Sequence, residues 1–200
     1  MKKANIILII AVAVLIASFL AVYISDRIAL KRAYERYPTA YLEEIKTVSN
    51  EFGLDPYYVL SIIRCESSFD REAVSKKGAV GLMQIMPDTG EWIAHKLGMD
   101  GVYSQDMLYD PVTNIRIGCW YLSFIKGRVG DDPGTDAAAY NAGHGTVQAW
   151  LADPQYSEDG LSLTSIPYPE TERYVSRVAE AYEQYRKLYP DCFGAEPVED

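Results

Sequence analysis

The chain has 200 residues, of which 48% are hydrophobic and 24% charged, so it can bury one hydrophobic core but not two large ones. Its formal net charge of −9 argues against nucleic acid and anionic lipid headgroups as partners. A sugar polymer stays compatible because it is held by stacking and hydrogen bonds, which the 16 tyrosines and 3 tryptophans suit.

The first predicted element is an apolar segment at the N-terminus. Lys2 and Lys3 precede a nearly uninterrupted apolar run from Ala4 to Ile24, about the length that a helix needs to cross a bilayer. We interpret residues 1–25 as a transmembrane anchor, and the basic pair predicts a cytoplasmic N-terminus with the rest of the chain outside the cell membrane. The alternative is a cleaved signal peptide, but the run is long for one and residues 17–21 make a poor cleavage site.

The next segments are predicted to be helical. Residues 26–40 form a charged stalk, in which Pro38 interrupts a short helix. Thr39 is placed to cap a second helix that ends at Gly53. The apolar stripe of this helix has helical spacing and consists of Leu42, Ile45, Val48 and Phe52.

Asp-Pro pairs predict two further helix starts. One helix begins at Asp55-Pro56 and runs to about Phe69, and another begins at Asp110-Pro111 and ends at Gly127. The apolar stripe of the second of these helices consists of Val112, Ile115, Cys119, Leu122 and Ile125. Shorter helices are predicted at residues 88–97, 136–141 and 146–151, and a long helix at residues 170–189. Strand-like patterns are limited to residues 73–80 and 161–166. We therefore predict a mainly α domain with little β at residues 41–190, followed by an acidic tail at residues 191–200.

The cysteines and histidines do not indicate a metal site. The chain has three cysteines, so at most one internal disulfide can form. No C-x-x-C is present, and His95 and His144 are far apart in sequence. We expect Cys65 and Cys119 to be small buried apolar groups on helices, with a disulfide between them as the alternative.

Glu66 is the main candidate for chemistry because the helical periodicity places it on an apolar face. It follows Val59, Ile62 and Ile63 by seven, four and three residues, so its carboxyl is predicted to point inward. Burial without a cationic partner raises the pKa of a carboxylic acid, and such an acid can protonate a leaving oxygen near neutral pH. The alternative is an ion pair with Arg64 or Arg71 at the edge of the helix.

The run from Glu66 to Thr89 resembles the signature of the soluble lytic transglycosylase family. E-S-x-F opens at Glu66, and A-V-S-x-x-G-A-x-G-L-M-Q-I-M-P follows from residue 73 to residue 87. Residues 139–143, A-Y-N-A-G, match a second family motif, and residues 169–175 are similar to P-E-T-x-x-Y-V. The resemblance covers roughly residues 42–189. Two positions depart from the pattern, since Cys65 replaces a residue that is often polar and Glu172 replaces a frequent arginine.

The resemblance implies a lysozyme-like, goose-type helical fold and an enzyme that cleaves the glycan strands of peptidoglycan. Glu66 would be the single catalytic acid and base, and the hydroxyl of Tyr174 would approach it. The implied substrate-binding residues are Ser67, Met83, Gln84, Tyr140, Asn141 and Tyr174. Several have plainer alternatives: a hydrogen bond that braces the loop for Gln84, a helix C-terminus for Tyr140 and Asn141, and core packing for Tyr174.

The reaction implied is that of a carbon–oxygen lyase acting on a polysaccharide. Glu66 would protonate the bond between N-acetylmuramic acid and N-acetylglucosamine, and the muramoyl 6-hydroxyl would attack to leave a 1,6-anhydro end. No metal or cofactor is expected, the chain is expected to be a monomer, and His144 is expected to be an ordinary loop residue. The alternatives are a goose-type lysozyme, which adds water with the help of a second carboxylate, and a non-catalytic wall-binding scaffold on the same fold.

Overall fold

The computed structural model describes residues 2–194, and most of them are helical. The elements are α1 (Lys2–Arg36), α2 (Leu42–Glu51), α3 (Pro56–Glu66), α4 (Pro87–Lys96), a 3-10 helix (Gln105–Tyr109), α5 (Pro111–Val129), α6 (Pro133–Ala142), α7 (His144–Leu151) and α8 (Pro169–Leu188). Contacts divide the chain into two compact units, one up to Tyr37 and one from Pro38 onward. The prediction of a mainly α fold is confirmed.

The first unit consists of α1, which is apolar over most of its length. The stretch Asn5–Arg36 is long and apolar enough to cross a membrane, and its most apolar part is not buried. Phe19, for example, is 72% exposed. The predicted anchor and the helical part of the stalk form one continuous helix, because no proline or glycine interrupts it before Pro38.

The start of α2 differs from the prediction. The cap expected at Thr39 is wrong, because Tyr41 occupies the N-cap position in the left-handed conformation (φ 57°) and no side chain caps the helix. Glu43 and Glu44 lie in the first turn, where negative charge favours the positive end of the helix dipole. The helix therefore begins at Leu42, two residues later than a Thr39 cap would place it.

Aspartate caps begin three helices, one of which the sequence analysis placed too late. Asp55 and Asp110 accept hydrogen bonds from backbone amides of α3 and α5, as predicted. Asp132 does the same for α6, accepting from the Thr135 amide at 2.7 Å. Because of this unrecognised Asp-Pro pair, α6 begins at Pro133 rather than at residue 136.

Two helices end at residues other than those predicted. α3 stops at Glu66 instead of Phe69, because Ser68 and Phe69 take the left-handed conformation (φ 54° and 67°). α5 continues past Gly127 to Val129. The predicted stripe on α5 is correct except at Val112, which is 48% exposed.

α3 lies at the centre of the second unit and packs chiefly on α8, which in turn packs on α6. Seven consecutive residues of α3, from Tyr57 to Ile63, are buried. α8 contributes a single stripe to the same core, made of Tyr174, Val178, Ala181 and Tyr185. A helix buried on all sides has little freedom to move, so the residue that ends α3 is held in the interior.

Little β structure is present among the described residues. Isolated antiparallel bridges pair Val80 with Val74 and with Ile85. The strand-like pattern at residues 73–80 is therefore confirmed only as a bridge. The second pattern, at residues 161–166, is an irregular loop.

All three cysteines are free thiols. Cys119 is fully buried on α5, whereas Cys65 on α3 is half-buried. Burial raises the pKa of the Cys65 thiol to about 11. The disulfide considered as an alternative is not formed.

The C-terminal segment packs on the second unit before it leaves the described residues. Phe193 is 9% exposed, and its ring meets that of Tyr57 edge-on with the centroids 5.0 Å apart. The hydroxyl of Tyr57 donates to the carbonyl of Tyr189 at 2.7 Å. Most of the predicted acidic tail, residues 195–200, lies outside the described residues.

Candidate active site

Glu66 is the last residue of α3, and its carboxyl is held at a largely buried position. Val59, Ile62 and Ile63, which share its face, have no exposed surface. Burial raises the pKa of Glu66 from 4.5 to about 7. A carboxylic acid with such a pKa is about half protonated near neutral pH, so it can both donate and accept a proton.

Two residues of α8 act on this carboxyl. Tyr174 is only 2% exposed, and its buried hydroxyl has no hydrogen-bond partner among the described residues that meets the usual distance and angle limits. The hydroxyl nevertheless lies close enough to Glu66 to lower the pKa of the carboxyl. The guanidinium of Arg177, 5.7 Å from the centroid of the Tyr174 ring, lowers this pKa further. Without these two groups the pKa of Glu66 would lie above 7.

The arginines considered as ion-pair partners make other contacts. Arg64 donates to the hydroxyl of Ser68 at 2.8 Å, and Arg71 pairs with Glu72 at 2.8 Å. The cation that shifts the pKa of Glu66 is Arg177, one turn after Tyr174, which the sequence analysis missed. Its only signal was a basic residue three positions after a tyrosine of the buried stripe.

The loop that follows α3 is fixed by one side chain of α5. Asn114 is fully buried, and it accepts a hydrogen bond from the Met83 amide at 2.8 Å. Its amide donates to the carbonyls of Val80 (3.0 Å) and Leu108 (2.8 Å). One side chain thus binds three buried backbone groups. The Val80 carbonyl also accepts from the Ile85 amide at 3.0 Å, whereas the Met83 amide and the Leu108 carbonyl have only Asn114 as a partner among the described residues. Asn114 was not among the residues predicted from the sequence, although an amide next to the apolar stripe of α5 was a signal.

Two glycines permit the close packing of this loop. Gly81 has a φ of 78°, and a Cβ atom there would overlap the Asn114 side chain and the Leu108 carbonyl. On α5, a Cβ atom at Gly118 would overlap the sulfur of Met83. Both positions therefore require glycine for the loop to lie as it does.

Two of the predicted site residues tie the loop to its neighbours. The hydroxyl of Ser67 donates to the Leu82 carbonyl at 2.8 Å. The hydroxyl of Tyr140, at the end of α6, donates to the Met83 carbonyl at 2.7 Å. Glu66 lies near enough to Tyr140 to contribute to the raised pKa of this phenol, after burial. The structure therefore brings α3, the loop and α6 together around the carboxyl.

The remaining predicted site residues differ in solvent exposure and in hydrogen bonding. The side-chain nitrogen of Gln84 donates to the carbonyls of Ala73 (3.1 Å) and Gly81 (3.0 Å), which is the loop-bracing arrangement considered as the alternative. Met83 is fully buried beneath the loop. Asn141 is exposed, and its side-chain oxygen accepts from the Thr171 hydroxyl at 2.9 Å.

Backbone strain is concentrated around Glu66. Four residues other than glycine have a positive φ in the described chain, and three of them are Ser68, Phe69 and Gln84. Such conformations cost about 1–3 kcal/mol each and persist where the surrounding structure enforces them. They often occur at functional sites, so their position favours a functional role for this region.

A second buried carboxyl, that of Asp136 on α6, lies elsewhere. Burial raises its pKa to about 7, and its Oδ1 has no hydrogen-bond partner among the described residues. It lines a cavity of about 310 Å³ together with Asp55 and Tyr58. Asp55 caps the start of α3, eleven residues before Glu66, which corresponds to about 16 Å along the helix. Leu54, Asp55 and Tyr58, which line this cavity with Asp136, lie at or just before the start of α3, whereas Glu66 is its last residue.

The histidines do not come together. His95 pairs with Asp100 at 2.7 Å, and His144, which begins α7 rather than lying in a loop, packs edge-on against Phe124. Within residues 2–194, no three His, Cys, Asp or Glu side chains are grouped so that they could hold a metal ion.

Comparison with known proteins identifies the family. The transglycosylase SLT domain matches residues 43–161. The soluble lytic murein transglycosylase of Escherichia coli strain K12 is 36% identical over 156 residues, which cover 78% of this chain and 24% of the relative. A putative soluble lytic murein transglycosylase of Haemophilus influenzae is 33% identical over 170 residues, which cover 82% of this chain and 28% of the relative.

Solved structures give the same result. The crystal structure of the 70 kDa soluble lytic transglycosylase from Escherichia coli superimposes with a TM-score of 0.70 at 32% identity, covering 80% of this chain and 26% of that one. An inactive mutant of lytic transglycosylase Slt from Pseudomonas aeruginosa gives a TM-score of 0.67 at 30% identity, covering 84% of this chain and 26% of that one. The chain thus spans about a quarter of the length of the relatives it matches.

Proposed function

Because this chain belongs to the transglycosylase SLT domain family, we propose that it is a peptidoglycan lytic transglycosylase. It cleaves the β-1,4 bond between N-acetylmuramic acid and N-acetylglucosamine and leaves 1,6-anhydro-N-acetylmuramic acid ends. The observation that carries the proposal is the largely buried carboxyl of Glu66, whose pKa burial raises to about 7. Such a group is protonated often enough at neutral pH to serve as a general acid.

Glu66 serves twice in the proposed reaction. Its proton passes to the glycosidic oxygen as the bond from that oxygen to the muramoyl anomeric carbon breaks. The oxygen of the muramoyl 6-hydroxyl then bonds to the anomeric carbon, and its proton returns to the Glu66 carboxylate. Both steps are balanced without water or a second carboxylate, and the acid is regenerated.

The surroundings of Glu66 favour this reaction over hydrolysis by a goose-type lysozyme, because no carboxylate is among the groups that shift the pKa of Glu66. Hydrolases that use two carboxylates hold them about 5–10 Å apart across the scissile bond. Asp136 is the other carboxyl whose pKa burial raises to about 7, and it lines a cavity with residues at the start of α3, whereas Glu66 ends that helix. The groups that act on the pKa of Glu66 are instead Tyr174 and Arg177. A substrate hydroxyl as the nucleophile suits a site with one acid.

We assign substrate binding to the residues that surround the carboxyl. The exposed amide of Asn141 is suited to sugar hydroxyl and acetamido groups, and so is the side-chain oxygen of Gln84, which has no hydrogen-bond partner among the described residues. Tyr174 orients the carboxyl. Ser67 and Tyr140 shape the walls of the site, and the fully buried Met83 supports the loop from beneath. A non-catalytic scaffold would gain nothing from a raised carboxyl pKa, so the same observation disfavours that alternative.

We further propose that α1 crosses the cell membrane with its N-terminus in the cytoplasm, which places the catalytic unit on the outer side. The exposed apolar surface of α1 supports this placement, and Lys2 and Lys3 set the orientation. The substrate would then be glycan strands close to the membrane. The enzyme is proposed to act as a monomer.

The proposal is tested by digesting purified sacculi with the full chain in a nonionic detergent and weighing the soluble muropeptides. We expect products that carry 1,6-anhydro ends. Glu66→Gln should abolish their release, whereas Glu91→Gln, which changes an exposed carboxyl on α4, should not. Reducing ends in place of anhydro ends would indicate a lysozyme. Binding to sacculi without any product from the parent protein would indicate a scaffold.

A further inference from the structure

A cavity between α6 and α8, at the start of α3, has no part in the proposed reaction. Its volume is about 310 Å³, near the lower end of the range of about 300–1,000 Å³ that is typical of sites for small molecules. A small molecule or a single side chain fits such a space, whereas a polymer does not. We refer to it as the α6–α8 cavity, and its lining includes Asp55, Tyr58, Lys126, Asp136, Val178 and Glu183.

Much of the lining of the α6–α8 cavity is apolar. Leu54, Leu122 and Val178 contribute side chains that are almost entirely buried. Val175 and Ala179 of α8 add apolar surface that is nearer to solvent. An alkyl group that enters the cavity is therefore transferred from water to an apolar surrounding, which favours binding.

The α6–α8 cavity also contains a buried acceptor without a donor. Asp136 lines the cavity and is 6% exposed, and its Oδ1 has no hydrogen-bond partner among the described residues. A buried acceptor that lacks a partner costs folding free energy, and native proteins retain few of them. A ligand that donates a hydrogen bond to Asp136 recovers this free energy.

Three side chains that line the cavity are able to donate, but each of them donates to another acceptor. The pairs are the Tyr58 hydroxyl with the Pro133 carbonyl at 3.1 Å, the Lys126 ammonium with the Asp131 carboxylate at 2.6 Å, and the Tyr182 hydroxyl with the Asp55 carboxylate at 2.6 Å. The protein therefore leaves the donor for Asp136 to come from outside.

The charges around the α6–α8 cavity favour a cation as that donor. Four acidic residues line it, and Lys126 is its one basic residue. Glu183, which is exposed on α8, adds negative charge where a ligand would enter. Opposite charges attract more strongly next to a low-dielectric wall than in bulk water.

We propose that the α6–α8 cavity binds a small organic cation, whose alkyl chain packs on the apolar lining and whose terminal ammonium donates to Asp136. A free amine and the lysine side chain of a peptide share this chemistry. The inference does not rest on the proposed function, because the cavity lies at the start of α3 and Glu66 is at the end of that helix.

The test compares a cation with a neutral molecule of similar size. n-Pentylammonium and n-pentanol are titrated separately against the full chain in an uncharged polyoxyethylene detergent, and titrations of micelles alone correct for partitioning. Alanine methyl groups carry carbon-13, and binding is followed through the signal of Ala179, which lines the cavity and is identified by its loss in Ala179→Ser. At pH 8.5 we expect n-pentylammonium to bind about tenfold or more tightly than n-pentanol, since hydrogen bonds between charged groups are the stronger ones.

Asp136→Asn should abolish the preference for the cation, because it keeps the shape of the side chain and removes its charge. Asp106→Asn is the matched control. It makes the same change at an exposed aspartate of the 3-10 helix, and the preference should persist.

The affinity for the cation should also depend on pH. Burial raises the pKa of Asp136 to about 7, Lys126 lowers it, and Asp131 and Asp132 raise it. An alkylammonium, like lysine with its pKa of about 10.4, keeps its charge over this range. Affinity should therefore rise about tenfold or more from pH 5.5 to pH 8.5 and stay level in Asp136→Asn. That variant retains the other titratable groups that line the cavity, which are Asp55, Tyr58, Tyr182 and Glu183.

Equal affinity for the cation and the alcohol, a preference that persists in Asp136→Asn, or a cation affinity that is the same at both pH values would each overturn the proposal. No shift of the Ala179 signal with either molecule would overturn it too, and would mean that the cavity holds only water. Nα-acetyl-lysine N-methylamide separates the two sources. If it binds with the same dependence on Asp136, a peptide side chain fits the cavity, and if only n-pentylammonium does so, the ligand is a free amine.

Discussion

Replacing Glu66 with glutamine tests whether the carboxyl is held out of water at a cost to the fold. The unfolded chain releases this proton near the usual pKa of 4.5, whereas the folded chain keeps it until about pH 7. Between these values the folded state binds more protons than the unfolded state, so stability falls as the pH rises and levels off above pH 7. At about 1.4 kcal/mol per pH unit the full shift corresponds to about 3 kcal/mol, and water at the open edge of the site reduces it to about 2 kcal/mol.

We therefore expect Glu66→Gln to become more stable relative to the parent as the pH rises. The difference between their free energies of unfolding should be about 2 kcal/mol larger at pH 8 than at pH 4.5. Urea denaturation of the full chain in a nonionic detergent measures this difference. Tryptophan fluorescence reports on the second unit alone, because all three tryptophans lie after Pro38. The exposed Glu91→Gln serves as the control. A difference between Glu66→Gln and the parent that is the same at both pH values would refute the reasoning, since the carboxyl would then be as well solvated in the folded chain as in the unfolded one.

Three further substitutions address neighbouring groups. Arg177→Gln removes a cation that lowers the pKa of Glu66, so the alkaline limb of the pH–rate profile should move up by about 0.5–1 pH unit. Arg177→Lys should keep the limb in place. An unmoved limb in Arg177→Gln would contradict the action of Arg177 on Glu66. Asn114→Ala leaves the Met83 amide and the Leu108 carbonyl without partners among the described residues and should lower the free energy of unfolding by about 2–4 kcal/mol in urea denaturation. This loss should be larger than that of the exposed Asn50→Ala. Asp136→Asn should raise stability by about 1–2 kcal/mol at pH 8 but not at pH 4, because the folded chain favours the protonated acid; its rate of muropeptide release should stay that of the parent.

The sequence predicted most of the helices because their signals are local. Asp-Pro pairs at the starts of α3 and α5 combine a side-chain cap with a proline that needs no hydrogen-bond partner, and both were placed correctly. The periodicity of α3 also predicted the burial of the Glu66 carboxyl. By contrast, the left-handed residue at Tyr41 has no local signal, since tyrosine rarely adopts that conformation.

The electrostatics of the site depend on contacts between distant parts of the chain, and these could not be predicted from local patterns. Arg177 acts on Glu66 only because α8 packs against α3. The orphaned carboxyl of Asp136 similarly depends on the packing of α6 against its neighbours. The residues proposed to bind substrate came from the family resemblance, and their roles stay predictions.

The interlocking of Gly81, Asn114, Gly118 and Met83 has a consequence for how this protein can vary. Each of the four excludes a change in at least one other, because the amide of Asn114 fills the space that a larger residue at Gly81 would need and the sulfur of Met83 fills the space above Gly118. A single replacement at any of them should be rejected, whereas a paired change, such as a smaller residue at Met83 with alanine at Gly118, should be accepted. Deep mutational scanning of pairs would then find strong epistasis within this quartet, although it joins a loop to the middle of a helix about thirty residues away in sequence.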